Sequence, residues 1–166
     1  MKRTISILVE NHAGVLSRIS GLFSRRGFNI DSLAVGVTDD PSISRITIVA
    51  DGNEYTLEQL EKQLNKLIEV IKVKTLENDE LLARELMLVK IVAPSEKRSE
   101  IATIVDIMGA KIIDLSLTTM TLEISNTSFH LARFEELIKP YGIIEMVRTG
   151  TIAIQKGADS ISVKKQ

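Results

Sequence analysis

Cysteine is absent from the chain, and with it go disulfides, thiolate metal sites and thiol nucleophiles. No sign of charge dominates: 21 Lys and Arg stand against 22 Asp and Glu, a formal net charge of -1. Nothing therefore steers the molecule toward phosphate backbones or acidic membranes, and nucleic acid is disfavoured as a partner. Aromatic residues make up 4%, too few for a sheet surface that stacks bases. No uninterrupted apolar run approaches the ~18 residues of a membrane span. The opening MKRTISILVENHAG has a basic start, but its short apolar run is broken by Glu10 and Asn11 before a small-residue cleavage site could follow. A cytoplasmic location is the expectation, and the sequon Asn126-Thr127-Ser128 then carries no weight. Catalytic signatures are missing too: there is no nucleophile elbow, no phosphate loop and no His and carboxylate pair at a known spacing. His12 and His130 are lone histidines without a second ligand at metal spacing. A metal site is not expected in this chain, while acid and base catalysis by buried carboxylates stays open at this point.

What is present suits a folded protein, with 44% hydrophobic and 26% charged residues. The most informative stretch is ENHAGVLSRISGLFSRRGFNID, residues 10–31. Gly14 permits a sharp turn and close approach of a ligand to the main chain. Behind it, Val15, Leu16, Ile19, Leu22 and Phe23 share one helical face. A helix start leaves N–H groups unpaired and partly positive, so a carboxylate is welcome there, with the Asn11 amide beside it. Arg25 and Arg26 occupy the last turn and Gly27 is the stop. Asn29 and Asp31 open the following strand. On spacing alone, a polar turn that merely caps the helix and a small-molecule pocket both remain open, and Asn29 and Asp31 could simply satisfy backbone groups.

In chain order, Ile5, Ile7 and Val9 alternate with Thr4, Ser6 and Leu8, a strand with one face on a core. Phe28 and Ile30 share one phase and Leu33, Val35 and Val37 the other, which predicts a bulge near Asp31 and Ser32. A turn at 39–42 leads into a strand at 45–50. Thr56 with Gln59 reads as a capping box for a helix burying Leu57, Leu60, Leu64, Leu67 and Ile68. A fourth strand covers 70–76, so the order is β-α-β-β-α-β, the ferredoxin-like unit.

The pattern then restarts. Met87, Val89, Ile91 and Ala93 alternate; Ser95 can cap a helix carrying Ile101, Ile104, Val105 and Met108; Gly109 ends it. Ile113, Leu115 and Leu117 face Met120, Leu122 and Ile124. Thr127 or Ser128 caps a helix with Leu131, Phe134, Leu137 and Ile138 inward, ended by Pro140 and Gly142. Residues 143–147 and 151–154 make a last strand interrupted near Gly150. The fold class is α+β, two tandem βαββαβ ferredoxin-like domains. The expected boundaries are a first domain at 1–77, a linker at 78–83, a second domain at 84–156 and a frayed tail at 157–166. Domains of about 75 residues have small cores, so pairing of units or chains is expected.

The runs RTISILVENHAGVLSRISGLFSRRGFNIDSLAVG, DDPSISRITIV and LEQLEKQLNKLIEVIKV, with RELMLVKI, AKIIDLS and VRTGTIAI in the second half, resemble the regulatory small subunit of acetolactate synthase (acetohydroxyacid synthase). That resemblance implies an N-terminal ACT domain, an amino-acid-binding module, followed by a C-terminal domain of similar topology, with no active site, no catalytic residue, no metal and no cofactor in this chain. Its partner would be the large catalytic subunit, which carries thiamine diphosphate, Mg2+ and FAD in this family. The implied role is to activate that subunit and confer feedback inhibition by a branched-chain amino acid, valine foremost. A homodimer through ACT domains is also implied, with Asn11, His12, Ala13, Gly14, Val15 and Leu16 of one chain facing Asn29 and Ile30 of its neighbour. Position 12 is a departure, since an acidic or small polar residue is expected there. The alternative reading is a free-standing ACT-type amino-acid sensor of another pathway.

Overall fold

The computed structural model describes residues 2–162. Within them the chain forms two compact units, one made of residues 2–82 with 151–162 and the other of Ala83–Gly150.

In the first unit, β1 (Lys2–Glu10), α1 (Val15–Arg25), β2 (Ile30–Val37), β3 (Ile43–Asp51), α2 (Glu54–Leu64) and β4 (Val70–Leu76) follow in order. The sheet runs β2-β3-β1-β4, and β1 is antiparallel to both β3 and β4. Ile5 lies opposite Ile48 and Ile7 opposite Ile46, which sets one apolar face against the helices. Ile5, Ile7, Ile19, Phe23, Ile48, Leu60 and Leu64 are the heart of that core. The pairing of β2 with β3 shifts between Ile30 and Ser32, as the phase switch predicts. Asp31 is the extra residue, so Ile30 and Leu33 can both turn toward the core. Helix α1 ends where expected: Gly27 has φ 71°, Phe28 N–H donates to Phe23 O and Gly27 N–H to Ser24 O, a Schellman closure.

The second unit holds most of β5 (Leu81–Val92), a 3-10 turn at Ser95–Lys97, α3 (Arg98–Met108), β6 (Lys111–Leu115), β7 (Thr119–Asn126), α4 (Ser128–Ile138) and β8 (Ile143–Arg148). Its strands run β6-β7-β5-β8, and Met87, Val89, Ile91, Ile101, Leu122, Leu131 and Phe134 form its core. A buried carboxylate ties the unit together. Glu85 on β5 accepts two hydrogen bonds from the Arg148 guanidinium at 2.9 and 3.1 Å and one from Ser128 Oγ at 2.9 Å. Each lone pair so occupied offsets part of the cost of removing the charge from water.

Several expectations need correction. The cap of α2 is Asn53, whose Oδ1 accepts from Thr56 N at 2.8 Å; the helix starts a turn earlier than a capping box at Thr56 allows. Ser95 makes no capping bond, because the 3-10 turn intervenes before α3. Ile68 lies beyond the end of α2 and is 89% exposed. Leu16 and Leu137 are half-exposed, and every residue of β6 is exposed, since β6 is an edge strand. Leu117 sits in the turn after it. The expected linker at 78–83 is only a turn, with β5 starting at Leu81.

The largest departure concerns β9 (Ile152–Gln155), expected in the second unit but grouped with the first. It pairs with β5, whose opening residues Leu81 and Leu82 also belong to the first unit. Side chains from the outer face of the first sheet grip this segment: Arg45 Nη2 donates to Ala153 O at 2.7 Å, and Thr151 N–H donates to Ser32 Oγ at 2.6 Å. Lys74 donates to the Gln155 side chain. That face bears Thr4, Ser6 and Leu8, and all three are buried, so β1 has two covered faces rather than one. Burial of Arg45 away from water lowers its pKa. The part of the expected tail at 163–166 lies outside the described residues; 157–162 has no regular element. No helix among the described residues is long and apolar enough to cross a membrane.

Candidate functional site

The loop between β1 and α1 is built to leave a helix end open. Gly14 occupies the cap position with φ 89° and ψ -15°, a left-handed conformation that costs other residues about 1 kcal/mol. A Cβ there would meet no atom within 4 Å, so the backbone angle demands glycine and the space beside it is empty. Glycine brings no capping side chain, and the first turn of α1 holds no acidic residue. Among the described residues, no acceptor reaches the N–H groups of Val15, Leu16 or Ser17. The helix start thus lacks a capping side chain, and its amides with the positive end of the helix dipole make an arrangement suited to a carboxylate.

The loop itself is pinned from outside. Asn11 N–H donates to Ser42 O at 2.8 Å and Asn11 Nδ2 to Pro41 O at 2.9 Å. Glu10 N–H donates to Glu69 O at 2.9 Å. The Glu69 carboxylate, almost fully buried, pairs with Arg18 on α1. Sequence reasoning did not single out Pro41, Ser42 or Glu69. The turn at 39–42 is visible in the sequence, but an acceptor carbonyl thirty residues away leaves no side-chain signature.

His12 is exposed, with Nδ1 3.2 Å from Ala13 O and Nε2 3.1 Å from Glu10 Oε2. The Ala13 carbonyl first, and the Glu10 carboxylate second, raise its pKa above the ordinary 6.5. The cation is favoured at the mouth of the loop. Ala13 and Gly14 are exposed; Val15 is buried at 4% and Leu16 is 41% exposed. Val15 thus offers its N–H, and Leu16 offers an apolar surface.

The other expected residues stand on β2 and just before it. Asn29 is exposed and its Nδ2 donates to Asp31 Oδ1 at 3.0 Å, while Asp31 pairs with Lys2 at 2.9 Å. Ile30 is partly buried against the core. Among the described residues, no hydrogen bond joins Asn29 or Ile30 to residues 11–16. One chain presents two separate parts: an open helix start, and a polar and apolar pair beside a bulge. Among the described residues, no group of three or more His, Cys, Asp or Glu could hold a metal ion.

Comparison with known proteins covers both halves. Residues 5–72 match the family model described as AHAS small subunit-like ACT domain. Residues 84–157 match that of the small subunit of acetolactate synthase. A protein of Archaeoglobus fulgidus named probable acetolactate synthase small subunit is 46% identical, over 95% of this chain and 98% of its own. The acetolactate synthase small subunit of Mycolicibacterium smegmatis is 44% identical, over 98% of this chain and 95% of its own. The crystal structure of the small subunit from Thermotoga maritima superposes with a TM-score of 0.89 at 36% identity, covering 95% of this chain and 98% of that one.

Proposed function

Because the chain belongs to the family of acetolactate synthase small subunits, we propose that it is the regulatory partner of a thiamine-diphosphate-dependent large subunit, activating it and conferring feedback inhibition by valine. The large subunit carries the thiamine diphosphate, Mg2+ and FAD and performs the carbon–carbon bond formation; this chain contributes no catalytic group and works in the cytoplasm. The observation that carries the reading is the uncapped start of α1 in an ACT domain of this family. A zwitterionic amino acid sets its carboxylate on the amides of Val15, Leu16 and Ser17, with the His12 cation nearby. Its ammonium goes to the Asn11 Oδ1 and to backbone carbonyls of the loop. A short branched side chain lies on Leu16 and Ile30.

Two chains complete the site. Strand β2 is an edge of the first sheet, and Val35 and Val37 on it, with Leu16 on α1, are 48%, 59% and 41% exposed. That apolar edge supports a homodimer through ACT domains in which Asn29 and Ile30 of one chain close over residues 11–16 of the other. Inhibition follows if valine prefers the less active holoenzyme by about 1 to 3 kcal/mol.

Calorimetry of the purified chain with L-valine, L-leucine and L-isoleucine, alone and with the large subunit, tests the reading. Heat of binding is expected for valine, together with a valine-dependent fall in acetolactate production by the reconstituted pair. Silence with all three amino acids would overturn it. Failure to co-purify with the large subunit, with binding intact, would point to a free-standing sensor.

A further inference from the structure

The chain leaves its second unit through four residues that are held at both ends. On one side, Arg148 is clamped by its two hydrogen bonds to buried Glu85. Its neighbour Thr149 donates its N–H to Leu86 O at 3.0 Å and accepts from Leu86 N–H through Oγ1 at 3.1 Å. On the other side, Thr151, 8% exposed, donates its N–H to Ser32 Oγ at 2.6 Å, and Arg45 holds Ala153 O at 2.7 Å. Only Gly150, with φ 81°, lies between the two anchors. A link one residue long has almost no slack, and its left-handed backbone angle suits glycine.

The far anchor falls at a telling place. Ser32 is the residue at which β2 regains register with β3 after the bulge, and Asp31 alone separates it from Ile30. A bulge leaves its extra residue outside the ladder, so backbone on either side can adjust while few ladder bonds are lost. Ordering of Asn29 and Ile30 by a ligand therefore has a short path to Ser32 Oγ, from there to Thr151 N–H, and through Gly150 to the clamped pair Arg148 and Thr149.

We infer that the Ser32–Thr151 hydrogen bond and the Gly150 link form the tether through which an effector bound beside Asn29 and Ile30 is felt in the second unit, with Ser32 as a positioning residue. The inference rests on the effector reading above and adds the route of the signal. Ser32 touches no ligand in this scheme, so binding and response separate on its removal.

Two variants of the full chain, reconstituted with its large subunit, test this. Ser32→Ala removes the acceptor; insertion of three glycines after Thr149 leaves every anchor in place and adds slack. Both are expected to bind L-valine in calorimetry within about twofold of wild type, and to leave valine-free activity unchanged. Both should lose more than half of the inhibition that saturating valine imposes on wild type. Hydrogen–deuterium exchange supplies the readout that a packing role would not move: valine should slow exchange in residues 148–153 of wild type and not of either variant. Wild type that neither binds nor responds to valine refutes the effector reading itself. Wild-type binding with full inhibition of both variants overturns the tether alone, as does a tenfold loss of affinity in Ser32→Ala, which would move Ser32 into the site.

Discussion

Helices α1 and α3 occupy the same place in two units of the same topology, yet their first turns are opposite in kind. Helix α1 starts on a bare glycine with no acidic residue in its own first turn. Helix α3 is led in by a 3-10 turn whose Lys97 N–H already bonds Pro94 O at 2.9 Å, and Glu96 and Glu100 supply negative charge there. The Arg98 side chain adds bonds to Ala93 O and Ser116 O. Neither helix start has a side-chain cap, but one is covered by a 3-10 turn and acidic side chains, whereas the other is bare. Topology alone therefore says little about where a ligand binds, and the few residues before each helix say much.

The largest test of that contrast fills the open seat. Gly14→Asp puts a carboxylate where the ligand's would go and is expected to weaken valine binding by more than about 100-fold, or about 3 kcal/mol, in calorimetry. The strained angle costs only about 1 kcal/mol of stability, so the thermal melt should still show a folded chain. Undiminished binding would erase the distinction between the two helix starts.

Next in size is the independence of the two cores. Phe23 and Phe134 are both fully buried, one in each. Phe134→Ala is expected to destabilise the second unit by about 3 to 5 kcal/mol in chemical denaturation while valine affinity, which the proposed site assigns to the first unit, holds. Equal loss of affinity would mean the units do not fold apart.

Smaller effects sharpen the reading of the caps. Thr127 Oγ1 accepts from His130 N–H at 3.3 Å, so Thr127→Ala should cost about 1 kcal/mol. Ser95 caps nothing, and Ser95→Ala should stay within about 0.5 kcal/mol of wild type. Denaturant midpoints measured side by side decide between them.

The smallest effect is the pH response of the open loop. His12 has a pKa raised above 6.5 by the Ala13 carbonyl and then by Glu10. A raised value means that the stabilisation of the charged ring is complete below 6.5 and is lost as pH climbs through the folded-state value. Valine affinity should decline over the same window, because a nearby cation is being discharged. His12→Gln should flatten the profile, and NMR titration of the His12 ring checks the direction of the shift.

Much of this architecture can be read from the sequence because it depends on local pattern. The stops at Gly27 and Gly109, the phase switch at Asp31 and the stripes Leu57, Leu60, Leu64 and Leu131, Phe134, Ile138 all follow from spacing and backbone preference. The edge strand β6 was not legible as exposed, since Ile112, Ile113 and Leu115 look like core residues until the strand order is known. Nor was the destination of residues 151–155. Alternation marks a strand without saying which unit it joins, and the grips from Arg45 and Ser32 go to backbone groups that any residue could supply. At the candidate site, Gly14 and the bulge were visible, while the anchors at Pro41, Ser42 and Glu69 were not.

The hold of the first unit on β9 has a consequence for how the molecule is made. On the ribosome the amino-terminal part of a chain emerges first and folds as it emerges. Here the residues that Arg45 and Ser32 hold follow the second unit in the sequence, so the nascent first unit waits, incompletely sheathed, until the second unit has been translated. Synthesis order thus makes a finished first unit the sign that the second unit has already been made.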